Sequence, residues 1–418
     1  MSKRIYLDYA SVTPIDKKIS KEILRVSQKY VANPSSLYKE GVEVLNFLES
    51  CRNRVAKALE VHADEIIFTS GGTESNALAI KGVIKGYIAE QTKADGLDSE
   101  INNDINGDII IPHIISSTIE HPSIRELLNN LEKKGEIELT LISPNEEGII
   151  EASEISEALK PKTILVSVMY ANNEIGTIMP LAQIGKKLRE YKRGLGRTEF
   201  DMPFLHSDAS QAVQYLSMRV PSLHVDLMTM DGGKIYGPRG VGALFVKRIV
   251  PFKSITDGGS QENGRRAGTE NVPGIAGFAL ALETAEKEKT KEFTRVEVLR
   301  NMLLEYLKSS KIGDSKMGEF FTINGTIEEG QRLPNNLNIC IKEIDAEFLV
   351  VTLDAMGLCV SSVTSCRTLS EDSYSYVVQE VSGDGCSKSS LRISLGKYTT
   401  KSDVIKAGKM VVEAVTRV

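Results

Sequence analysis

The chain has 418 residues, 41% of them apolar, with 51 Lys and Arg against 56 Asp and Glu and a net charge of −5. So much apolar material excludes intrinsic disorder, and the lack of a basic excess excludes a dedicated nucleic-acid binder. The length suits two or three domains, or one large domain with a smaller one attached.

Short apolar, β-branched runs alternate with helical patterns. EIIFTS (65–70) leads into a helix from Thr73, and IIIPHIISS (109–117) leads into one opening at His121-Pro122. TILVSVMY (163–170) precedes a helical stretch after Pro180, and FLHSDAS (204–210), DLMTMD (226–231) and GALFVKR (242–248) follow. Runs buried on both faces and separated by helices predict an α/β fold with a mostly parallel sheet. Residues 91–108, with five acids and two glycines, read as a solvated surface loop. From about residue 279 a long charge-rich amphipathic helix begins, followed by LNICI (337–341), LCVSS (358–362) and LRISLG (391–396) mixed with helices. The division expected is a large α/β domain over 16–278 and a smaller α+β domain formed by 1–15 and 279–418.

Five cysteines (Cys51, Cys340, Cys359, Cys366, Cys386) are scattered without a CxxC pair, and the five histidines form no HxxxH cluster. Neither a disulfide framework nor a metal centre is expected; Cys340 and Cys359 read as packing residues in apolar runs, and Cys51 as a helix residue. No apolar run approaches the roughly 18 residues that span a bilayer, and the basic start lacks the apolar stretch of a signal peptide. A reducing cytoplasm is the expected setting.

Four segments carry residue types suited to chemistry. SGGTESN (70–76) sets two glycines and a Thr where a strand enters a helix, a geometry that either only makes the turn or binds an anion, typically phosphate. HSDASQ (206–211) puts Asp208 at a strand end, as a helix cap or as the partner of a pyridinium nitrogen. In DGGKIYGPRGVGAL (231–244), Lys234 is either a solvated surface lysine or an amine that bonds covalently to a carbonyl cofactor. VSSVTSCRTLS (360–370) surrounds Cys366 with small polar residues beside Arg367, which favours an exposed, reactive thiolate.

Taken together, these segments resemble the cysteine desulfurases of the NifS/IscS type, class V aminotransferases of the fold-type I pyridoxal 5'-phosphate (PLP) enzymes. The resemblance runs in order across nearly the whole chain: YLDYASVTP (6–14), NPSS (33–36), FTSGGTESN (68–76), TIEHPS (118–123), NNEIG (172–176), KIYGPRGVGAL (234–244), RRAGTEN (265–271), SSVTSC (361–366) and SLGKYTT (394–400). It implies that Lys234 carries the cofactor, Asp208 holds its ring nitrogen, Gln211 bonds its ring hydroxyl and His121 stacks on the ring and assists proton transfer. Gly72 and Thr73, together with the turn residues Asp231 and Gly233, would surround the phosphate, and Thr269 would reach the phosphate of the partner subunit in a homodimer. Asn173 and Arg392 would grip the carboxylate of L-cysteine, and Cys366 would take its sulfur as a persulfide and pass it to an acceptor protein, an Fe–S scaffold or a tRNA thiolase. No membrane or direct nucleic-acid contact is implied. Delivery requires a mobile cysteine loop, for which Ser361, Ser362, Thr364 and Ser365 are suited, as is SGDGCSKSS (382–390).

Two departures stand out. The family has a Ser-Gly-His-Lys type of run where this chain has Asp231-Gly232-Gly233-Lys234, so a carboxylate replaces a hydroxyl and a ring donor is lost. Repulsion between that carboxylate and a phosphate predicts weaker cofactor retention. Val363 replaces a glycine in the cysteine loop. The competing readings are a selenocysteine lyase or another PLP lyase or transaminase of this fold, and a weakened paralogue kept as a docking partner.

Overall fold

The computed structural model describes residues 4–94, 111–312, 314–362 and 374–417. Among them, seven strands form one sheet: β2 (Ile66–Thr69), β3 (His113–Ser117), β4 (Glu138–Ile142), β5 (Thr163–Ser167), β6 (Phe204–Asp208), β7 (Leu227–Asp231) and β8 (Gly242–Val246). A short β1 (Ile5–Tyr6) precedes them. The order across the sheet is β2-β8-β7-β6-β5-β3-β4, and only β8 runs antiparallel to its neighbours. The exception has a simple cause: β7 and β8 are joined by a glycine-rich turn, too short for the helical crossover that a parallel pair requires.

Strands β3, β5, β6 and β8 are buried along their whole length, as their apolar runs predict. Strand β4 escapes a reading from apolar runs because it is the edge strand. Its ELTLI sequence is only partly buried, and Glu138 pairs with Lys160 and Lys162 at the rim.

The helices α1 (Lys17–Lys29), α2 (Lys39–Leu59), α3 (Gly72–Ala94), α4 (Pro122–Lys133) and α5 (Leu181–Gly194) flank this sheet. Residues 91–94, expected in a loop, extend α3 instead; the rest of the 91–108 segment lies outside the described residues. Helix α6 (Val272–Ser309) runs unbroken past residue 279; Asn271 caps it by accepting from the Gly274 amide at 3.1 Å, and Pro273 sits in its first turn.

Beyond α6 a second, antiparallel sheet joins β9 (Phe321–Ile323), β10 (Asn336–Ile341) and, further along the chain, β12 (Ser390–Ser394). It is accompanied by α7 (Ala346–Met356), α8 (Tyr376–Ser382), α9 (Asp384–Ser387) and α10 (Lys401–Arg417). Strand β1 pairs in parallel with β11 (Leu358–Cys359), so the start of the chain runs beside its C-terminal third. No helix among the described residues is long and apolar enough to cross a membrane.

A further expectation needs correction. Cys340 on β10 and Cys386 on α9 form a disulfide, their Cα atoms 5.3 Å apart across 46 residues of sequence. Sequence spacing carried no sign of it, because tertiary pairing of β10 with the turn before β12 brings the two together. Within the 382–390 segment the Ser389 amide donates to the Cys386 carbonyl at 3.1 Å and the Ser390 hydroxyl does so at 2.7 Å. Two backbone hydrogen bonds, at 2.7 and 3.1 Å, join Ser361 to Arg392, and Thr364 and Ser365 lie outside the described residues. Cys51 is buried on α2, as expected, and Cys359 is half-buried.

Candidate active site

The carboxyl ends of β2, β3, β5, β6 and β7 converge on one cavity of about 210 Å³, the place where open α/β sheets bind ligands. Gly72 and Thr73 enter it from the first turn of α3, His121 from the cap of α4, Asn173 from the turn after β5, Asp208 from the tip of β6, and Asp231 and Lys234 from the turn after β7. Gln211 and Ser210 follow Asp208, and Arg392 reaches in from β12. Gly233 stands in the same turn as Lys234, and its carbonyl accepts from the Thr13 amide at 2.9 Å. Thr269 is exposed and outside this cavity, and Cys366 lies outside the described residues. A larger cavity of about 600 Å³ opens at the opposite strand ends around Lys192, His224 and Asp226. There the Asp226 carboxylate already accepts from the Leu205 amide and faces Lys247, so its charges are mutually engaged.

Lys234 Nζ donates to the carbonyls of Ala10 and Ser11 at 3.0 and 2.6 Å, and the Gln211 amide donates to the Ala10 carbonyl at 2.9 Å. The YLDYAS segment thus forms a wall of the cavity as well as a strand. Asp208 is buried: one oxygen accepts from Asn76 Nδ2 at 2.8 Å and the other from the Ser210 amide at 3.0 Å. These bonds fix the carboxylate plane, and Asn76 also donates to the Ser123 hydroxyl at 2.9 Å, tying Asp208 to the His121 turn.

The Ser123 amide donates to His121 Nδ1 at 3.2 Å, so Nδ1 is the unprotonated nitrogen and the neutral ring carries its proton on Nε2. Burial holds the ring below the ordinary histidine value; Lys234 adds to this, while Asp208 and Asp231 oppose it. Behind Asp208, burial pushes His206 down to about 4, and its ring bonds the hydroxyls of Ser167 and Thr229 at 2.9 and 3.2 Å. This histidine is a neutral packing element. Glu120, beside His121, is fully buried and pushed up to about 8 by desolvation, despite bonds from the Ser117 hydroxyl and the Met169 amide. Desolvation thus favours its protonated form.

Arg392 donates through Nη1 to the Asn173 carbonyl at 3.1 Å and through Nη2 to Asp8 at 2.8 Å and the Ser11 hydroxyl at 2.6 Å. Its Nε is buried without a partner, an unfilled donor suited to a carboxylate. The hydroxyl of Ser210 is likewise buried and unpartnered. Reading the sequence singled out Lys234, Asp208, His121, Asn173, Gln211 and Arg392, but not the residues that hold them: Asp8, Asn76, Ser123 and Ser210. All but Ser210 lie inside the motifs that carry the resemblance, and Ser210 stands between Asp208 and Gln211; which side chain holds which is decided by folding alone.

The arrangement combines an amine, a fixed carboxylate, a neutral imidazole, a helix N-terminus and an arginine fork in one small cavity. The profile of the aminotransferase class-V family matches residues 5–105 and 112–406. "Cysteine desulfurase IscS" of Dictyoglomus turgidum is 37% identical over 405 residues, 97% of this chain and 92% of that protein. "Cysteine desulfurase IscS" of Glaesserella parasuis serovar 5 is 35% identical over 423 residues, covering 100% of this chain and 94% of its own. A solved "NifS-like protein" superposes with a TM-score of 0.84 at 29% identity, over 99% of this chain and 100% of its own. The chain belongs to the aminotransferase class-V family, among its cysteine desulfurases of the IscS and NifS type.

Proposed function

We propose that this protein is a PLP-dependent cysteine desulfurase that converts L-cysteine to L-alanine and carries the sulfur as a persulfide on Cys366. The observation that carries this reading is the meeting of Lys234, Asp208, His121 and Arg392 in one cavity at the carboxyl ends of the strands.

The donor set suits the cofactor. Lys234 would carry it, the fixed carboxylate of Asp208 would accept from a ring N–H, and Gln211 is within the cavity to meet the ring hydroxyl. Gly72, Thr73 and the unpartnered Ser210 hydroxyl gather at the α3 N-terminus, the end suited to a phosphate. When bound, PLP supplies an electron-withdrawing ring that takes up the negative charge left when a substrate Cα loses its proton.

The protein groups do the rest. Arg392 Nε and Asn173 bind the substrate carboxylate and present Cα to Lys234, whose released amine takes the Cα proton. Asp208, its carboxylate held by Asn76 and the Ser210 amide, would favour the protonated form of the ring nitrogen it meets. His121, neutral with its proton on Nε2, would stack on the cofactor ring and exchange a proton with the substrate sulfur. The Cys366 thiolate attacks that sulfur: the substrate C–S bond breaks, an S–S bond forms on Cys366, and the carbon skeleton leaves as alanine after reprotonation. An acceptor protein then takes the outer sulfur.

A homodimer is part of this reading, with Thr269 serving the partner's site. Its support is a group of exposed apolar residues just before and in the first turns of α2: Val31, 81% exposed, Leu37, 97% exposed, Val42 and Leu45. The deciding experiment incubates the PLP-loaded protein with L-cysteine and scores alanine and persulfide, beside Cys366→Ala. Alanine with persulfide on Cys366 supports the reading. Alanine without persulfide points to lyase chemistry, and no product from a loaded protein rejects the enzyme.

A further inference from the structure

Asp231 ends β7 with a carboxylate seated on the donors that an anion would use. Its Oδ2 accepts from the Gly72 amide at 2.9 Å, in the first turn of α3, and its Oδ1 accepts from the Gly233 amide at 2.7 Å, in the turn that leads to Lys234. The glycines leave room for it: a Cβ on Gly72 would stand 3.3 Å from one carboxylate oxygen and a Cβ on Gly233 3.1 Å from the other. The same point above Gly72 lies 3.3 Å from the Ser210 hydroxyl, which is buried and has no partner. A helix N-terminus, a second free-standing amide and an orphaned hydroxyl thus converge on one place, already shared by a negative charge.

The groups around Asp231 do not neutralise it once a phosphate arrives. Lys234, on the same turn, is committed to the cofactor in the reading above. Arg239, whose stem lies beside Gly233, is exposed. His121, at the cap of α4, is held neutral by burial, and Asp208, at the tip of β6, adds negative charge. On α3, Glu74 is already paired with Arg266 at 2.7 Å and accepts from the Ser70 amide. Two anionic groups on the same donors cannot both remain fully ionised at contact; such pairs hold one proton between them.

We propose that Asp231 and the cofactor phosphate share a single proton, so that cofactor binding takes up a proton from solution and cofactor affinity falls as pH rises. The proposal rests on the PLP reading of the site and deepens it. A phosphate monoester loses its second proton near pH 6, so above that value the incoming group is a dianion. Binding then requires one proton per site, and affinity drops about tenfold per pH unit. No bond to carbon or phosphorus changes, and the proton returns to solvent when the cofactor leaves. Asp231 is a positioning residue here: it acts on the phosphate, not on the substrate.

The test is an equilibrium titration of the apo-protein with PLP and with pyridoxal, which lacks the phosphate, between about pH 7 and 9. The ratio of the two dissociation constants cancels the ionisation of Lys234, which both ligands engage. In the wild type the preference for PLP is expected to fall about tenfold per unit. In Asp231→Ser, and in the nearly isosteric Asp231→Asn, it is expected to stay level, with tighter PLP binding at the alkaline end. A level ratio in the wild type, or an equal slope in all three proteins, overturns the shared proton. If no form binds PLP and borohydride fixes nothing on Lys234, the cofactor reading itself falls, and this proposal with it.

Discussion

Arg392 and Asp8 meet as an ion pair at 2.8 Å, with the arginine side chain almost wholly buried. The pair ties β12 to the start of the chain; with Nη1 on the Asn173 carbonyl as well, both terminal nitrogens are spent on protein and Nε is left for a ligand. A lysine would supply one point charge in place of that planar fork. Arg392→Lys is expected to raise the KM for L-cysteine by about ten- to a hundredfold, the loss of a charge-assisted hydrogen bond, with a smaller effect on kcat. Steady-state alanine formation reads both constants; an unchanged KM would remove Arg392 from substrate binding.

Glu120 gives the fold a pH dependence of defined sign. Its carboxyl sits at about 8 in the folded chain against an ordinary 4.5. Stability from this group is therefore full at acid pH, declines as the unfolded chain alone ionises, and reaches its low plateau above about 8. His206, held near 4 by burial, works in the opposite direction, costing stability only as pH falls below the ordinary histidine value of 6.5. Glu120→Gln leaves His206 in place and removes the first effect. Urea unfolding is expected to show the variant gaining ~2–4 kcal/mol on the wild type between pH 5 and pH 8. Parallel pH profiles would show that Glu120 does not titrate as its burial implies.

The exposed face around Leu37 offers a direct check on self-association. A charge placed at the centre of an apolar contact is costly, and a tenfold weakening corresponds to about 1.4 kcal/mol. Leu37→Glu is expected to raise the dimer dissociation constant by at least about that factor, measured by sedimentation. A dimer of undiminished affinity would make this face ordinary surface.

The loop that bears Thr269 is anchored by Arg52 and Glu262, bonded through two N–H groups at 2.6 and 2.9 Å and buried on both sides. Glu262 also accepts from the Phe68 amide on β2 at 2.8 Å. Arg52→Met strands a buried carboxylate and is expected to cost about 3–5 kcal/mol in urea unfolding. Adding Glu262→Leu should recover most of that loss. A single variant as stable as the wild type would show that water reaches the pair.

Much of the fold is legible in the residues. Strands β3, β5, β6 and β8 announce themselves because burial on both faces demands continuous apolar runs, and His121-Pro122 marks a helix start by its own backbone chemistry. Strand β4 was not legible, since an edge strand needs no such run. The Cys340–Cys386 bond was not legible either, because its partners meet only through sheet pairing. In the site, Asp231 was visible as an oddity beside Lys234; that its two oxygens sit on the amides of Gly72 and Gly233 was not.

By itself, then, the sequence determined the α/β alternation, the family, and the kinds of groups available: one amine in a glycine-rich turn, one acid at a strand tip, one arginine near the end. Local propensity and residue chemistry suffice for these, because they depend on neighbours along the chain. Only the tertiary structure decided that Asn76 steers Asp208, that the Ala10 and Ser11 carbonyls hold Lys234, and that Asp8 pairs with Arg392. Hydrogen bonds of this kind join residues up to hundreds of positions apart, and their geometry exists only once the packed core has brought the strand ends together.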